Sequence, residues 1–167
     1  MPGEHPYQAY LFSPIGYIYL ARSEMGLTHV HLSRKEPGDD FSQGQDDLLL
    51  EAKKQLASYF SGSLQRFDLP LDFGKAPEFS QAVWRLLLQI PYGHTRSYGA
   101  LARDLGDIRK SRAVGHANAV NPMAIIVPCH RVIGSTGALT GYAYGMDAKE
   151  FLLALENPNR GKQTELF

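Results

Sequence analysis

The chain has 167 residues, of which 44% are hydrophobic and 20% charged, with a formal net charge of zero and a single cysteine. That length and apolar content suffice for one or two compact cores of a soluble globular protein. A lone thiol excludes an internal disulfide framework and points to the cytoplasm rather than to an oxidising compartment. The opening "MPGEHPYQAYLFSPIG" lacks a basic start followed by an apolar run, and no stretch approaches about 18 apolar residues, so neither export nor membrane insertion is expected.

The first third reads as strands. "YQAYLF" (7–12), "GYIYLAR" (16–22) and "GLTHVHLS" (26–33) are short and rich in aromatic or β-branched residues, and the turn-forming "SPIG" and "SEMG" separate them, which predicts an antiparallel meander. After a polar loop, "LLLEAKKQLASYFSG" (48–62) predicts a helix of about four turns that stops at Gly62. The prolines and glycine of the following segment place an extended connection and a domain boundary near residues 70–77. The division is then 1–75 for a strand-and-helix domain, 76–160 for a helical one and 161–167 for a loose tail.

Beyond that boundary the elements are helical. Residues 77–90 carry Phe79, Val83, Leu86, Leu87 and Ile90 on one face. Ser97 caps a short helix that turns Leu101, Ala102 and Leu105 inward and ends at Gly106. "DIRKSRAVGHANAVN" (107–121) is the next helix, with Ser111 as its cap and Arg112 in its first turn. Two short helices joined by a tight turn suggest a helix-turn-helix. The small residues Ala113, Gly115, Ala117 and Ala119 have two readings. They let a nucleic-acid backbone approach while Arg112 and Asn118 project, or they let two helices pack closely. A final helix spans 147–156.

Charge is unevenly spread. Residues 1–80 hold seven Lys and Arg against eleven Asp and Glu, a balance of −4, and residues 81–167 hold ten against six, or +4. Between positions 94 and 131, Arg96, Arg103, Arg109, Lys110, Arg112 and Arg131 face only Asp104 and Asp107. This is either a modest footprint for a polyanion or an ordinary solvated surface. His29 and His31, on one strand face, read as that face rather than as a metal site, and no metal or cofactor is expected.

The cysteine lies in "AIIVPCHRV". An apolar run leads into it, Pro128 stiffens the backbone on entry, and His130 and Arg131 follow. A thiol must ionise to attack carbon and does so beside cations or hydrogen-bond donors. An adjacent histidine reaches it only through a turn or a water bridge. A buried, inert cysteine is the other reading of the same residues.

Taken together, Tyr98, "RAVG", "NP", "PCHRV", "GY" and the K-E-x-L-L-x-x-E pattern of "KEFLLALE", in this order over residues 78–157, resemble the O6-alkylguanine-DNA alkyltransferases, which reverse DNA damage directly. Residues 1–75 match that family in outline. The resemblance implies an α/β plus α fold, with a small ribonuclease H-like domain before a helical, winged-helix-like one that carries the helix-turn-helix. It implies base flipping in duplex DNA that contains O6-alkylguanine, with one chain acting as a monomer. Cys129 is then the nucleophile, His130 its base through a bound water, and Glu156 the carboxylate that orients the histidine. Tyr98 serves the leaving purine, and Asn121 braces the cysteine loop. Arg112, followed by Ala113, Gly115 and Asn118, meets the DNA, with Arg112 filling the place of the flipped base. The main-chain carbonyls of Cys129 and Val132 accept from the guanine amino group, Tyr142 walls the pocket, the Ala143 amide donates to O6, and Ser135 lies on the binding loop.

One stretch departs from the family: "GYAYGMD" puts Ala143 and Tyr144 where relatives carry small residues such as serine or glycine. Tyr144 is expected to narrow the mouth or to add a stacking face. With no second cysteine to take the alkyl group onward, each molecule is expected to act once, as a transferase. The competing readings are a non-catalytic protein that binds alkylguanine damage, a helix-turn-helix transcription factor, and a cysteine hydrolase, which would turn over repeatedly.

Overall fold

The computed structural model describes residues 7–137 and 141–159. The tail expected to be loose and the tip of the loop after Gly137 lie outside these residues. Two compact units form. One holds residues up to Gly74 together with Pro122–Ala124, and the other holds Lys75–Asn121 and the residues from Ile125 onward.

In the first unit β1 (Ala9–Ser13), β2 (Gly16–Ser23) and β3 (Gly26–Ser33) form an antiparallel meander in the order β1-β2-β3. The alternation of side chains follows the pleat. Ile18, Leu20, Val30 and Leu32 are buried, whereas Tyr10 opposes Tyr19 and Phe12 opposes Tyr17 across β1 and β2. Gly26 must be glycine: its φ is +155°, and a Cβ there would lie 2.6 Å from the Pro70 carbonyl oxygen. Helix α1 (Asp47–Phe60) buries Leu49, Ala52, Leu56 and Tyr59, an i, i+3, i+7, i+10 stripe. It begins one residue before the expected start because Asp46 caps it, accepting from the Leu49 amide at 2.9 Å while also pairing with Arg22. Pro122–Ala124 joins the edge of β3. The Val30 amide donates to the Pro122 carbonyl and the Ala124 amide to the Val30 carbonyl, at 2.9 and 3.0 Å. No local pattern announces that long-range bridge.

In the second unit α2 (Glu78–Leu88) buries Val83, Trp84 and Leu87. Its inward stripe therefore runs through Trp84, and Phe79 and Leu86 lie only half-buried. The reason is a partner: the Trp84 indole donates to the Ala117 carbonyl at 2.9 Å. The two-residue β4 (Arg96–Ser97) leads into α3 (Tyr98–Asp104), and Ser97 caps α3 by accepting from the Ala100 amide. The helix expected from residue 107 is divided. A 3₁₀ turn, Ile108–Lys110, is capped by Asp107, and α4 (Ser111–Ala119) follows it. Ser111 is not the cap, since its hydroxyl donates back to the Ile108 carbonyl at 2.7 Å. A second 3₁₀ turn, Cys129–Arg131, opens directly into β5 (Val132–Ile133), which pairs in parallel with β4. Helix α5 (Met146–Glu156) closes the described chain. No helix among the described residues is long and apolar enough to cross a membrane.

Candidate active site

The β4–β5 pairing sets Arg96 opposite Val132 and Ser97 opposite Ile133. The residue after β4, Tyr98, and the turn before β5, with Cys129, thereby reach one cavity of about 360 Å³. Its wall is completed by Gly115, Asn118 and Ala119 of α4, by Asn121, and by Gly141, Tyr142, Ala143 and Tyr144. The Tyr142 and Tyr144 rings meet edge to face, with centroids 5.5 Å apart.

Pro128 introduces not the rigid, non-helical presentation that a proline there suggests but a 3₁₀ turn, in which the Arg131 amide donates to the Pro128 carbonyl. The turn sets Cys129 and His130 on consecutive positions of one buried 3₁₀ helix. Upstream, Ile125 has a φ of 72° while 1% exposed. A left-handed β-branched residue is a genuine outlier, held by the bridge on one side and the cysteine turn on the other. Asn121 donates to the Val127 carbonyl at 2.8 Å and so braces the same loop.

Behind the thiol lies a buried polar chain. His130 Nε2 is 2.7 Å from Glu156 Oε2, and both side chains are almost wholly buried. A carboxylate can only accept, so Nε2 carries the proton and Nδ1 is the basic nitrogen. Nδ1 is buried without a hydrogen-bond partner among the described residues. Arg131 grips the same carboxylate, Nε to Oε1 at 2.8 Å and Nη2 to Oε2 at 3.0 Å, and its Nη1 donates to the Ile90 carbonyl at 2.7 Å. Burial works against ionised Glu156, but His130 and Arg131 outweigh it and hold the carboxyl well below the usual carboxylate range. Burial lowers the His130 value in spite of Glu156. Burial likewise pushes the Cys129 thiol up, against hydrogen bonds from Asn121 and Tyr142 and the nearby Lys149 charge. The thiol and the Glu156-held imidazole thus sit on consecutive residues of one buried turn.

Several residues stand elsewhere than the sequence reading put them. Asn118 does not project: it is 5% exposed, and its Nδ2 donates to the Cys129 carbonyl at 3.2 Å, because position 118 faces inward beside Ala117 and Val114. The Val132 carbonyl already accepts from Lys149 Nζ at 2.6 Å, and Val132 is not among the residues lining the cavity. Ser135 is exposed and also outside that lining. Arg131, counted as part of a surface footprint, is buried on Glu156. Of the other cations, Arg96 pairs with Asp104 and Arg109 with Asp107. Arg112 and Ala113 are exposed, and Gly115 is half-buried.

Arg131 and Lys149 are the residues that the sequence reading missed. Lys149, 0% exposed, shares one face of α5 with Leu152, Leu153 and Glu156 at i, i+3, i+4 and i+7, a spacing that could have flagged it. No group of three or more His, Cys, Asp or Glu among the described residues could hold a metal ion.

A buried cysteine in a cavity walled by the second of two short, turn-linked helices fits a DNA-binding protein that carries its own thiol. Comparison with known proteins agrees. Residues 7–73 match the ribonuclease-like domain of 6-O-methylguanine DNA methyltransferase, and residues 78–158 match the DNA-binding domain. The chain is 50% identical to the methylated-DNA–protein-cysteine methyltransferase of Methanosarcina acetivorans, over 90% of this chain and 97% of that one. It is 45% identical to the protein of that name from Mycolicibacterium paratuberculosis, over 93% and 94%. Among solved structures, Mycobacterium tuberculosis OGT in complex with DNA superposes with a TM-score of 0.79 at 44% identity, covering 89% of this chain and 91% of that one. This chain belongs to the 6-O-methylguanine DNA methyltransferase family. Its N-terminal ribonuclease-like part is followed by the family's helical DNA-binding part.

Proposed function

We propose that this chain is a methylated-DNA–[protein]-cysteine S-methyltransferase that repairs O6-alkylguanine in duplex DNA directly and once per molecule. The observation that carries the reading is the Cys129 thiol in a cavity floored by α4, with His130 held behind it by Glu156. The machinery falls within residues 76–160, downstream of the domain of residues 1–75. One chain acts per lesion, in the cytoplasm, without a cofactor.

The guanine leaves the stack, with Arg112 entering the duplex in its place and the small residues Ala113 and Gly115 admitting the backbone. His130 Nδ1 takes the thiol proton through a water, and Glu156 balances the imidazolium that results. The Cys129 sulfur forms a bond to the alkyl carbon as the carbon–O6 bond breaks, and that electron pair stays on the purine oxygen. Tyr98 supplies the donor that quenches the anion, assisted at O6 by the Ala143 amide. The product thioether has no resolving thiol, so the protein is consumed. Tyr144, packed on Tyr142 at the cavity wall, limits the size of the alkyl group accepted.

Intact-mass measurement after incubation with a duplex holding one O6-methylguanine tests this. The expected result is one methylene mass gained on Cys129, saturating at one per chain, and none in Cys129→Ser. A protein that binds the duplex without gaining mass would be the non-catalytic damage binder instead.

A further inference from the structure

The first unit carries a set of rings that alkyl transfer does not use. Ile18, Leu20, Val30 and Leu32 fill one face of its meander, and on the other face Tyr10, Tyr19 and His31 stand opposite one another across the three strands. Tyr7 lies nearly parallel to His31, with 14° between ring planes and 5.6 Å between centroids, and also meets Tyr19. Phe41 meets Tyr10 edge to face at 5.1 Å and Tyr19 at 6.0 Å. Tyr7, Tyr19, His31 and Phe41 together line a cavity of about 360 Å³, and residues within 33–40, Lys35, Glu36 and Asp40 among them, complete its wall. Hydrogen bonds tie that segment in place: the Tyr19 hydroxyl donates to the Lys35 carbonyl at 2.6 Å, and the Phe41 amide donates to the Gly38 carbonyl at 3.0 Å.

We propose that this cavity is an aromatic cage for a methylated ammonium cation, with Glu36 and Asp40 supplying the opposing charge. Ring faces carry the negative part of the aromatic quadrupole and attract a cation placed over them. Two carboxylates on the wall outnumber the one ammonium, that of Lys35. Burial and the neighbouring His29 hold His31 below the usual histidine range, which disfavours a second cation on the wall. A phosphate-bearing ligand would instead meet Glu36 and Asp40. A primary ammonium would surrender its water to rings that accept no strong hydrogen bond, whereas a methylated one presents methyl groups and gives up less hydration. The site is distinct from the Cys129 cavity, because every residue of its wall lies between positions 7 and 41.

The test titrates the full chain with choline, with a short peptide holding one trimethyllysine, and with 3,3-dimethylbutan-1-ol, which replaces the choline nitrogen by carbon. The methyl proton resonance of each probe is followed, since a ring cage shifts it upfield. Choline or the peptide should give a saturable upfield shift, and the neutral alcohol should bind roughly tenfold more weakly. Tyr7→Leu removes one ring and should weaken choline binding severalfold. Glu36→Gln with Asp40→Asn, both at exposed positions, should do the same while leaving the alcohol unaffected, and this pair decides the matter if circular dichroism shows that Tyr7→Leu disturbs the sheet. Tighter binding of the peptide names a protein side chain as the source of the cation, tighter binding of choline names a free ammonium compound, and both outcomes uphold the site. Equal binding of choline and the alcohol shows an apolar cavity only and overturns the inference. So does the absence of any saturable shift, or choline binding that the carboxylate variant leaves unchanged.

Discussion

At the scale of single residues, the buried chain His130–Glu156–Arg131, proposed to serve the thiol, is also a liability. Glu156→Gln leaves the Arg131 guanidinium buried, 8% exposed, without its counter-charge. Removing one partner of a buried pair costs about 3–5 kcal/mol. Glu156→Gln should therefore lower the unfolding free energy in urea by about that much and slow methyl transfer roughly a hundredfold. The pH dependence has a defined sign. His130 in the folded protein is depressed below its ordinary value of 6.5, so the unfolded chain binds its proton first, and stability declines as pH falls below 6.5. Glu156, also depressed, contributes stability above its ordinary 4.5 that is lost as pH falls further. At the other end the Cys129 thiol is raised, so the unfolded chain ionises first and stability declines above pH 9.0. Methylation of Cys129 removes that titration. Melting curves of free and methylated protein should diverge above pH 9.0, with the methylated form losing less stability, after allowance for any constant offset from the added methyl.

Among elements, α4 decides between the two readings of its small residues. A Cβ on Gly115 would meet the Tyr98 ring at 3.9 Å, ordinary van der Waals contact, so helix packing does not demand glycine there. What adjoins it is the cavity. Gly115→Ala should stabilise the helix by about 0.5–1 kcal/mol yet slow methyl transfer, since the added methyl takes space at the cavity wall. A melting temperature that rises while the single-turnover rate falls supports that separation, and an unchanged rate would contradict it. Ser97 is the contrasting case. It caps α3 immediately before Tyr98, and Ser97→Ala should cost about 1 kcal/mol and loosen the very residue proposed to serve the leaving purine. The sequence announced these helices because caps and apolar spacing are local. It did not announce the Asp107-capped 3₁₀ turn ahead of α4, where Asp107 accepts from the Arg109 amide. Nor did it show that Trp84, not Phe79, faces inward, since that choice rests on a carbonyl 33 residues away.

At the scale of the whole molecule, the opposed charges of the two halves, −4 and +4, overstate the cations available to DNA. Arg131 is spent inside, and Arg96 and Arg109 are paired with neighbouring aspartates. Arg103 and Arg112 carry no ion pair among the described residues, and Arg112 is the second residue of α4. Arg112→Ala should weaken duplex binding and reduce the salt slope of the binding constant by about one, measurable by anisotropy titrations at several ionic strengths.

The sequence by itself determined the meander and its helix, the helix-turn-helix and the family, and it singled out the cysteine, histidine and carboxylate on which the proposed mechanism rests. Each rests on local periodicity, on caps, or on a motif whose residues stand close together in the chain. Tertiary structure alone decided which charges are buried, that Asn118 turns inward onto the Cys129 carbonyl, that Lys149 occupies the Val132 carbonyl, and that Pro122–Ala124 bridges to β3. The physical reason is common to all four. Each buried polar group is placed by the partner that satisfies it, and those partners lie between 11 and 94 residues away along the chain.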